Sequence, residues 1–495
     1  MASRRDELNA YNFSRKRTVA AFLKPLPNGS VESAPRPLKH AISGIVMSVV
    51  ILAGFGACGL MSPVAPEGWD TPEAGIIVTD PSATRYIVLP SAKKRKDGKD
   101  IPVLHPVLNL ASAKLLLDPK KSNEGSVKTV KEKFLDESDI AQGSMVGIPY
   151  APDRLPSVED AGTSKVWALC QQTSASSDEK SVQQTVFVLD DKDAKTVTEK
   201  GSGKLASSQA LYVQDKRGKQ YLVSSSGVAY ELTGDTPEEV EALVRTLFGN
   251  AAEPRTVTDA WLSTLGTAQE PISMPSVQGD GGPSNAGVPS KFRTTGTLLQ
   301  TRNGQHYLVE KDRVIAVSDF QTTLLKETLA DPRTQTIQQN SFTPDPGTLT
   351  GGAKWPTRAI SWANSGPNDT SCSVFHGDKS SGLTTWTGSS LPISSVAASA
   401  SSYVSPGSGL LYQEAEGNSS TGYNYLVTDT GLRYFLPVGN DSDDKSGNEK
   451  QDVNQAKIRL GYENARKVSV PAQWSKLLPS GPNLTTEAAK QTQNS

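Results

Sequence analysis

Cysteine and histidine are scarce in this chain, a phosphate-binding loop is missing, and long apolar runs are reduced to one; each shortage excludes something. Three cysteines in 495 residues are too few for a disulfide-dense scaffold, so their placement matters more than their number. The four histidines (His40, His105, His306, His376) stand apart without a second ligand at metal spacing, which argues against a zinc hydrolase. His105, in LHPVLN, reads as a turn or packing residue rather than a base. The Gly-Lys pairs at Gly98, Gly203 and Gly218 lack the upstream glycine of a phosphate loop and the following hydroxyl that would hold Mg²⁺. No nucleophile elbow occurs either, so no catalytic, cofactor-binding or metal residue is assigned. A formal net charge of −1 gives the whole molecule no pull toward nucleic acid.

What is present is length and turn chemistry. With 36% apolar and 21% charged residues, 41 Gly and 32 Pro, the chain should fold into more than one domain with many turns. The one apolar run opens at Ala41 and closes at Met61, 21 residues without a charge. As a helix it would be about 30 Å long, the thickness of bilayer hydrocarbon. Residues 1–40 carry eight Lys or Arg against three acids, whereas residues 62–85 carry Glu67, Asp70, Glu73 and Asp80 against Arg85 alone. The positive-inside rule then leaves the N-terminus in the cytoplasm and residues 62–495 outside. A cleaved signal peptide fits less well, because the charged stretch is too long and no small-x-small site follows. A lipoprotein reading through Cys58 meets the same long basic arm and an ill-suited Phe55, so Cys58 reads as a small apolar helix residue. In the arm, Leu8, Tyr11, Val19, Phe22 and Leu23 fall near helical spacing up to Pro25 and Pro27. The arm is either a partly amphipathic helix for lipid or a partner helix, or an unstructured basic segment.

Beyond the run, four segments share an apolar strand, a turn, and a second strand that opens with a tyrosine, an aliphatic residue and valine. Their tyrosines are Tyr86, Tyr221, Tyr307 and Tyr425, and each segment reads as a β-hairpin. Four such matches indicate duplication. Helical patterns follow at ASAKLLL, at TPEEVEALVRTLFG with N-cap Thr236 and Pro237 in the first turn, and at QAKIRLGY. The second and fourth units share a later element around Trp261 and Trp474, read as packing aromatics between helix and sheet. Spacings of 135, 86 and 118 residues between the tyrosines rule out a uniform solenoid, so insertions separate the units. One insertion holds KVWALCQQ and QQTVFVLDD; the other holds Trp355, Trp362, Cys372 and Trp386. The two insertions are expected to meet as one central β domain, where Cys170 and Cys372 either bridge, as an exported location permits, or stay as buried thiols. The basic run from Lys93 to Lys99 is either a solvated hairpin tip or a polyanion contact.

The arm ELNAYNFSRKRTVAAFL, the single span, Gly68-Trp69, AGIIV from Ala74 to Val78, RYIV, and LHPVLNLASAKLLL from Leu104 to Leu117 resemble the EccB family of type VII secretion machines. The likeness runs in order along nearly the whole chain; the KKRKDGK insertion and the loose central region depart from it. It implies a structural subunit in the cell membrane, working beside the EccC ATPase, the EccD channel-like subunit, and possibly EccE and the mycosin protease. It also implies homo- and hetero-oligomers, membrane lipid contact, no nucleic acid, and four repeat domains around a central domain with a cross-domain disulfide. Some members carry an ATPase assignment, so an ATP-hydrolysing enzyme and a cell-wall polymer binding module stand as alternatives; no cofactor is expected.

The expected fold is α+β: a transmembrane helix and an elongated exported region of four β-hairpin/helix repeats around a β-rich centre. Expected boundaries are a basic arm at 1–40, the span at 41–61, repeat one at 62–145, repeat two at 206–285, repeat three at 286–335 and repeat four at 406–482. The central domain is expected in two segments, 146–205 and 336–405, with a flexible tail at 483–495.

Overall fold

The computed structural model describes residues 3–23, 42–52, 65–95, 98, 100–119, 121, 127–173, 182–377, 382–396, 400–417, 422–437 and 455–493. The chain forms two compact units, Met1–Glu67 and Gly68–Ser495.

In the first unit the arm is a 20-residue helix, Arg4–Leu23, that ends just before the prolines. Residues 42–52 are helical, with Ile45, Met47, Val50 and Leu52 exposed. No described helix is long and apolar enough to cross a membrane; positions 41 and 53–61 of the apolar run lie outside the described residues.

Among the described residues the second unit contains five sheets, and four of them share one chain path. In the first, Ile76–Asp80 pairs antiparallel with Arg85–Lys94, which pairs antiparallel with Asp100–Pro106. The helix Leu110–Leu116 follows, and Val127–Lys131 returns parallel to the opening strand. A short helix, Glu132–Asp136, then leads to Ala141–Gln142, parallel to the third strand. The second sheet repeats this with strands Gln209–Gln214, Gln220–Ser224, Val228–Glu231, Arg255–Thr256 and Gly266–Thr267 around the helix Pro237–Phe248. In the third, Leu298–Thr301, His306–Val309 and Val314–Val317 precede the helix Asp319–Thr328 and the strand Thr334–Ile337. In the fourth, Gly409–Ala415, Asn424–Thr428 and Arg433–Leu436 precede the helix Gln455–Arg459 and the strand Val468–Pro471. The closing parallel contact is reduced in these two to single bridges, Ile315 with Asp345 and Arg433 with Ser480.

Local chemistry sets these elements. Asn109 caps its helix by accepting from the Ser112 amide, and Thr236 does so from Glu239 with Pro237 in the first turn. Ser318 and Gln321 form a reciprocal capping box on the third helix, which the sequence reading did not identify.

The Tyr-aliphatic-Val triplet follows from burial of both sheet faces. Ile87, Leu222, Leu308 and Leu426 point into cores that contain the repeat helices, while Val88, Val223, Val309 and Val427 point to the other side. Helix faces pair between repeats: one and four share a core that includes Leu115, Leu116, Leu426 and Leu460, and two and three share one that includes Leu243, Leu247, Phe320 and Leu324.

Three expected boundaries change. Repeat three does not end at 335, because its fourth strand runs to Ile337 and its closing bridge uses Asp345; a strand so far from its partner gives no hairpin signal. Residues 483–493 are not a free tail: Leu484 and Ala489 are fully buried against repeats one and four, and Thr492 pairs with Val146. Leu484, Ala488 and Ala489 are the described apolar residues of the segment packed on that core, too few for a readable period. Trp355 and Trp362, expected in the central insertion, pack in the core of repeats two and three, and Ser361–Trp362 extends the second sheet.

Candidate functional site at the central sheet

The fifth sheet joins the two insertions. Val166–Thr173 and Val182–Leu189 come from the first, and Thr370–Phe375, Leu383–Gly388 and Ser402–Val404 from the second. The middle pair, Val166–Thr173 with Thr370–Phe375, is antiparallel and sets Cys170 directly opposite Cys372. Their sulfurs are bonded at 2.03 Å, with the Cα atoms 4.0 Å apart. Both cysteines are fully buried on the face that carries Phe187, Val374 and the helix Asp191–Thr198.

The opposite face meets repeats two and four. Trp167, Leu169, Val186, Val188 and Phe375 form one core there with Trp261 and Trp474. Phe375 stacks on Trp474 at 5.7 Å, and Trp167 meets Tyr412 edge-on at 5.8 Å. The two tryptophans expected to fasten helix to sheet within a repeat therefore also fasten their repeats to the centre.

Two polar clusters accompany this junction. Glu414 and Arg433 pair at 2.9 Å, both nearly buried; Arg433 also donates to Ser475 Oγ at 2.8 Å and lies 4.8 Å over the Tyr425 ring. Burial pushes the neighbouring Tyr412 phenol well above its ordinary value, and its hydroxyl hydrogen-bonds Ser475. Elsewhere, Lys165, 3% exposed, contacts Asp160 at 2.6 Å, and Asp160 also accepts from Ser408 and the Gly409 amide at the start of repeat four. Both clusters link segments distant in sequence.

The remaining sequence-derived sites fall as follows. Tyr86, Tyr221, Tyr307 and Tyr425 begin or lie within second strands, opposite Ile77, Val213, Leu299 and Tyr412. His105 lies in a strand, not a turn, and its Nδ1 contacts the Ser144 carbonyl at 2.8 Å. His306 contacts Asp319 at 3.1 Å and His376 contacts Thr384 at 2.9 Å; His40 is outside the described residues. Among the described residues no group of three or more His, Cys, Asp or Glu could hold a metal ion. Lys93, Lys94 and Arg95 are exposed at the end of the second strand, and positions 96, 97 and 99 lie outside the described residues.

Sheets of one shared chain path, packed in pairs and against a disulfide-crossed central sheet, build the large unit. The family described as "Type VII secretion system ESX-1, transport TM domain B" matches residues 1–495. The chain belongs to this EccB family and is a structural subunit of the type VII secretion system. It is 23% identical over 490 residues to the ESX-3 secretion system ATPase EccB3 of Mycobacterium tuberculosis strain H37Rv, covering 91% of this chain and 82% of that one. With the protein of that name from Mycolicibacterium smegmatis it shares 32% identity over 136 residues, 27% of this chain and 22% of the relative. Its fold resembles a chain of an intact ESX-5 inner membrane complex, with a TM-score of 0.58 at 19% identity, covering 100% of this chain and 96% of that one. An EccB3 dimer from the ESX-3 core complex gives a TM-score of 0.57 at 19% identity, covering 84% of this chain and 100% of that one.

Proposed function

We propose that the protein is a non-catalytic scaffold held in the membrane by one helix over residues 41–61, with its basic arm in the cytoplasm and four repeat domains around a central domain outside. The observation that carries this reading is the Cys170–Cys372 bridge, which lies beyond an apolar run with eight basic residues on its other flank. A disulfide persists in an oxidising compartment, so the thiol chemistry supports the orientation that the charge bias favours.

The scaffold contributes the extracytoplasmic assembly of the secretion complex, next to the EccC ATPase, EccD, EccE and the mycosin protease, and forms homo- and hetero-oligomers. The family match and the likeness to ESX inner membrane complexes and to an EccB3 dimer support this placement. The relatives' names carry the word ATPase, but this chain lacks the glycine-rich phosphate loop and its Mg²⁺-binding hydroxyl, which favours a structural role. Protease added to intact spheroplasts should digest the repeats and leave an N-terminal fragment that contains the arm; survival of the repeats with loss of the arm would reverse the orientation.

A further inference from the structure

Each repeat adds beside its opening strand a parallel strand that has no further strand beyond it among the described residues. Such an edge offers unpaired N–H and C=O groups to any other extended chain, and native edges are blunted by lysine, proline or shortness. Three of the repeats follow that rule. Val127–Lys131 carries Lys128 and Lys131, Arg255–Thr256 is two residues long, and Val468–Pro471 ends in a proline. Thr334–Ile337 in repeat three has none of these safeguards: all four residues pair with Leu298–Thr301, and it holds no charge and no proline.

Its surroundings leave the edge open. Thr336 is exposed, as are Gln338, Gln339 and Asn340 just beyond it, and repeat three takes no part in either core of the central sheet. The charges that precede the strand cancel locally, because the Arg333 guanidinium donates to both Asp331 carboxylate oxygens at 2.8 Å. An edge without charge has nothing with which to select a charged partner, but it matches itself. Two copies related by a two-fold axis align antiparallel, so that threonine, glutamine and isoleucine meet the same three residue types and no like charges are opposed. The same alignment at Val127–Lys131 would crowd the lysines of both copies together.

We propose that Thr334–Ile337 is a pairing edge for a second copy of this chain, the two strands joining antiparallel to merge two four-stranded sheets into one. The backbone groups supply the attraction and the neutral side chains tolerate the identical strand opposite. This names a surface for the homo-oligomer proposed above and does not depend on the membrane orientation.

The test uses the purified full chain in detergent, with Cys58→Ser removing the third thiol, and a short bismaleimide that joins cysteines brought together. Thr336→Cys reports on the edge, and Lys216→Cys, exposed in the hairpin turn of repeat two, reports on chance collision. The dimer band should be strong at Thr336→Cys and weak at Lys216→Cys. Adding Gln335→Lys to the Thr336→Cys chain should cut the band about tenfold, the order expected for like charges opposed twice across the two-fold, while Gln335→Asn keeps it. All variants should melt as wild type. A Thr336→Cys band no stronger than the collision control, or one indifferent to Gln335→Lys, overturns the proposal, as does cross-linking in membranes to a different protein alone. A chain that is dimeric by light scattering yet not joined at Thr336→Cys removes this edge and leaves the homo-oligomer standing; a monomer removes both.

Discussion

Replacing Cys170 and Cys372 together by alanine tests what joins the halves of the large unit. The bond spans 202 residues of chain, and those residues contain all of repeats two and three. In the chain-entropy treatment a closed loop of that length is worth about 5 kcal/mol, an upper figure because the denatured chain retains some structure. Loss of two fully buried sulfurs beside Phe187 and Val374 adds a small void, about 1 kcal/mol or less after local collapse. The six paired residues of the facing strands keep the sheet itself in register. A loss of up to about 5–6 kcal/mol, spread over the unfolding entropy of about 430 residues, lowers the melting temperature by up to roughly 6–7 °C. Differential scanning calorimetry of the full chain should show the double variant and reduced wild type shifted down together. A double variant melting within about 1 °C of wild type would refute the reasoning, as would three titratable thiols in denatured wild type that has never met a reductant.

Two further outcomes follow from buried charges. Asp160→Ala leaves the Lys165 ammonium, 3% exposed, without its 2.6 Å partner and should cost about 3 kcal/mol in urea unfolding; a Lys165→Met/Asp160→Leu double variant should recover much of that, and no loss in Asp160→Ala would show the pair to be dispensable. At Asp215, in the hairpin turn of repeat two, burial pushes the carboxyl up, but hydrogen bonds from the Lys219 and Arg217 amides and the Arg217 guanidinium outweigh it and hold the value below the ordinary one. A depressed carboxyl stabilises the fold fully above the unfolded carboxylate range, near pH 4, and the contribution disappears as pH falls through the lower folded value. Acid unfolding of Asp215→Asn should therefore show a shallower pH dependence than wild type below about pH 4; superimposable curves would remove Asp215 from the acid response.

Hairpins were legible because their pairing is local: Tyr221 and Val213 face each other across a short turn whose residues announce it. The strand that completes each sheet was not. Arg255–Thr256 and Thr334–Ile337 lie beyond a helix, run parallel to the opening strand, and are short or polar, so neither alternation nor turn chemistry marks them. The third repeat's helix was missed for a related reason, since DFQTTLLKET interrupts its apolar face with threonines and its capping box uses Gln321 in place of an acid. At the site, the cysteines could be matched because their compartment limited the choice, whereas the Arg433–Ser475 and Asp160–Ser408 contacts depend on proximity between distant segments.

The distribution of the tryptophans has a physical cause that the repeat pattern alone conceals. Every repeat sheet buries both faces, one against its helix and the other against something that differs along the chain. In repeats two and four that second face meets the central sheet, and the wide gap is filled by Trp261 and Trp474, both essentially inaccessible. In repeats one and three no second sheet among the described residues covers the face. It is closed by local chain instead, Trp69, Phe134 and Ile140 in one and Ala286, Val288, Phe292 and Phe342 in the other. Phe134 follows Val130 at the same spacing at which Trp261 follows Val257 and Trp474 follows Val470, so a smaller ring stands where only a loop must be met. Repeats at the ends of an array need such closing segments because an open apolar face would associate with other chains. The shared tryptophan of repeats two and four is therefore a mark of position beside the central sheet rather than of closer kinship between those two copies.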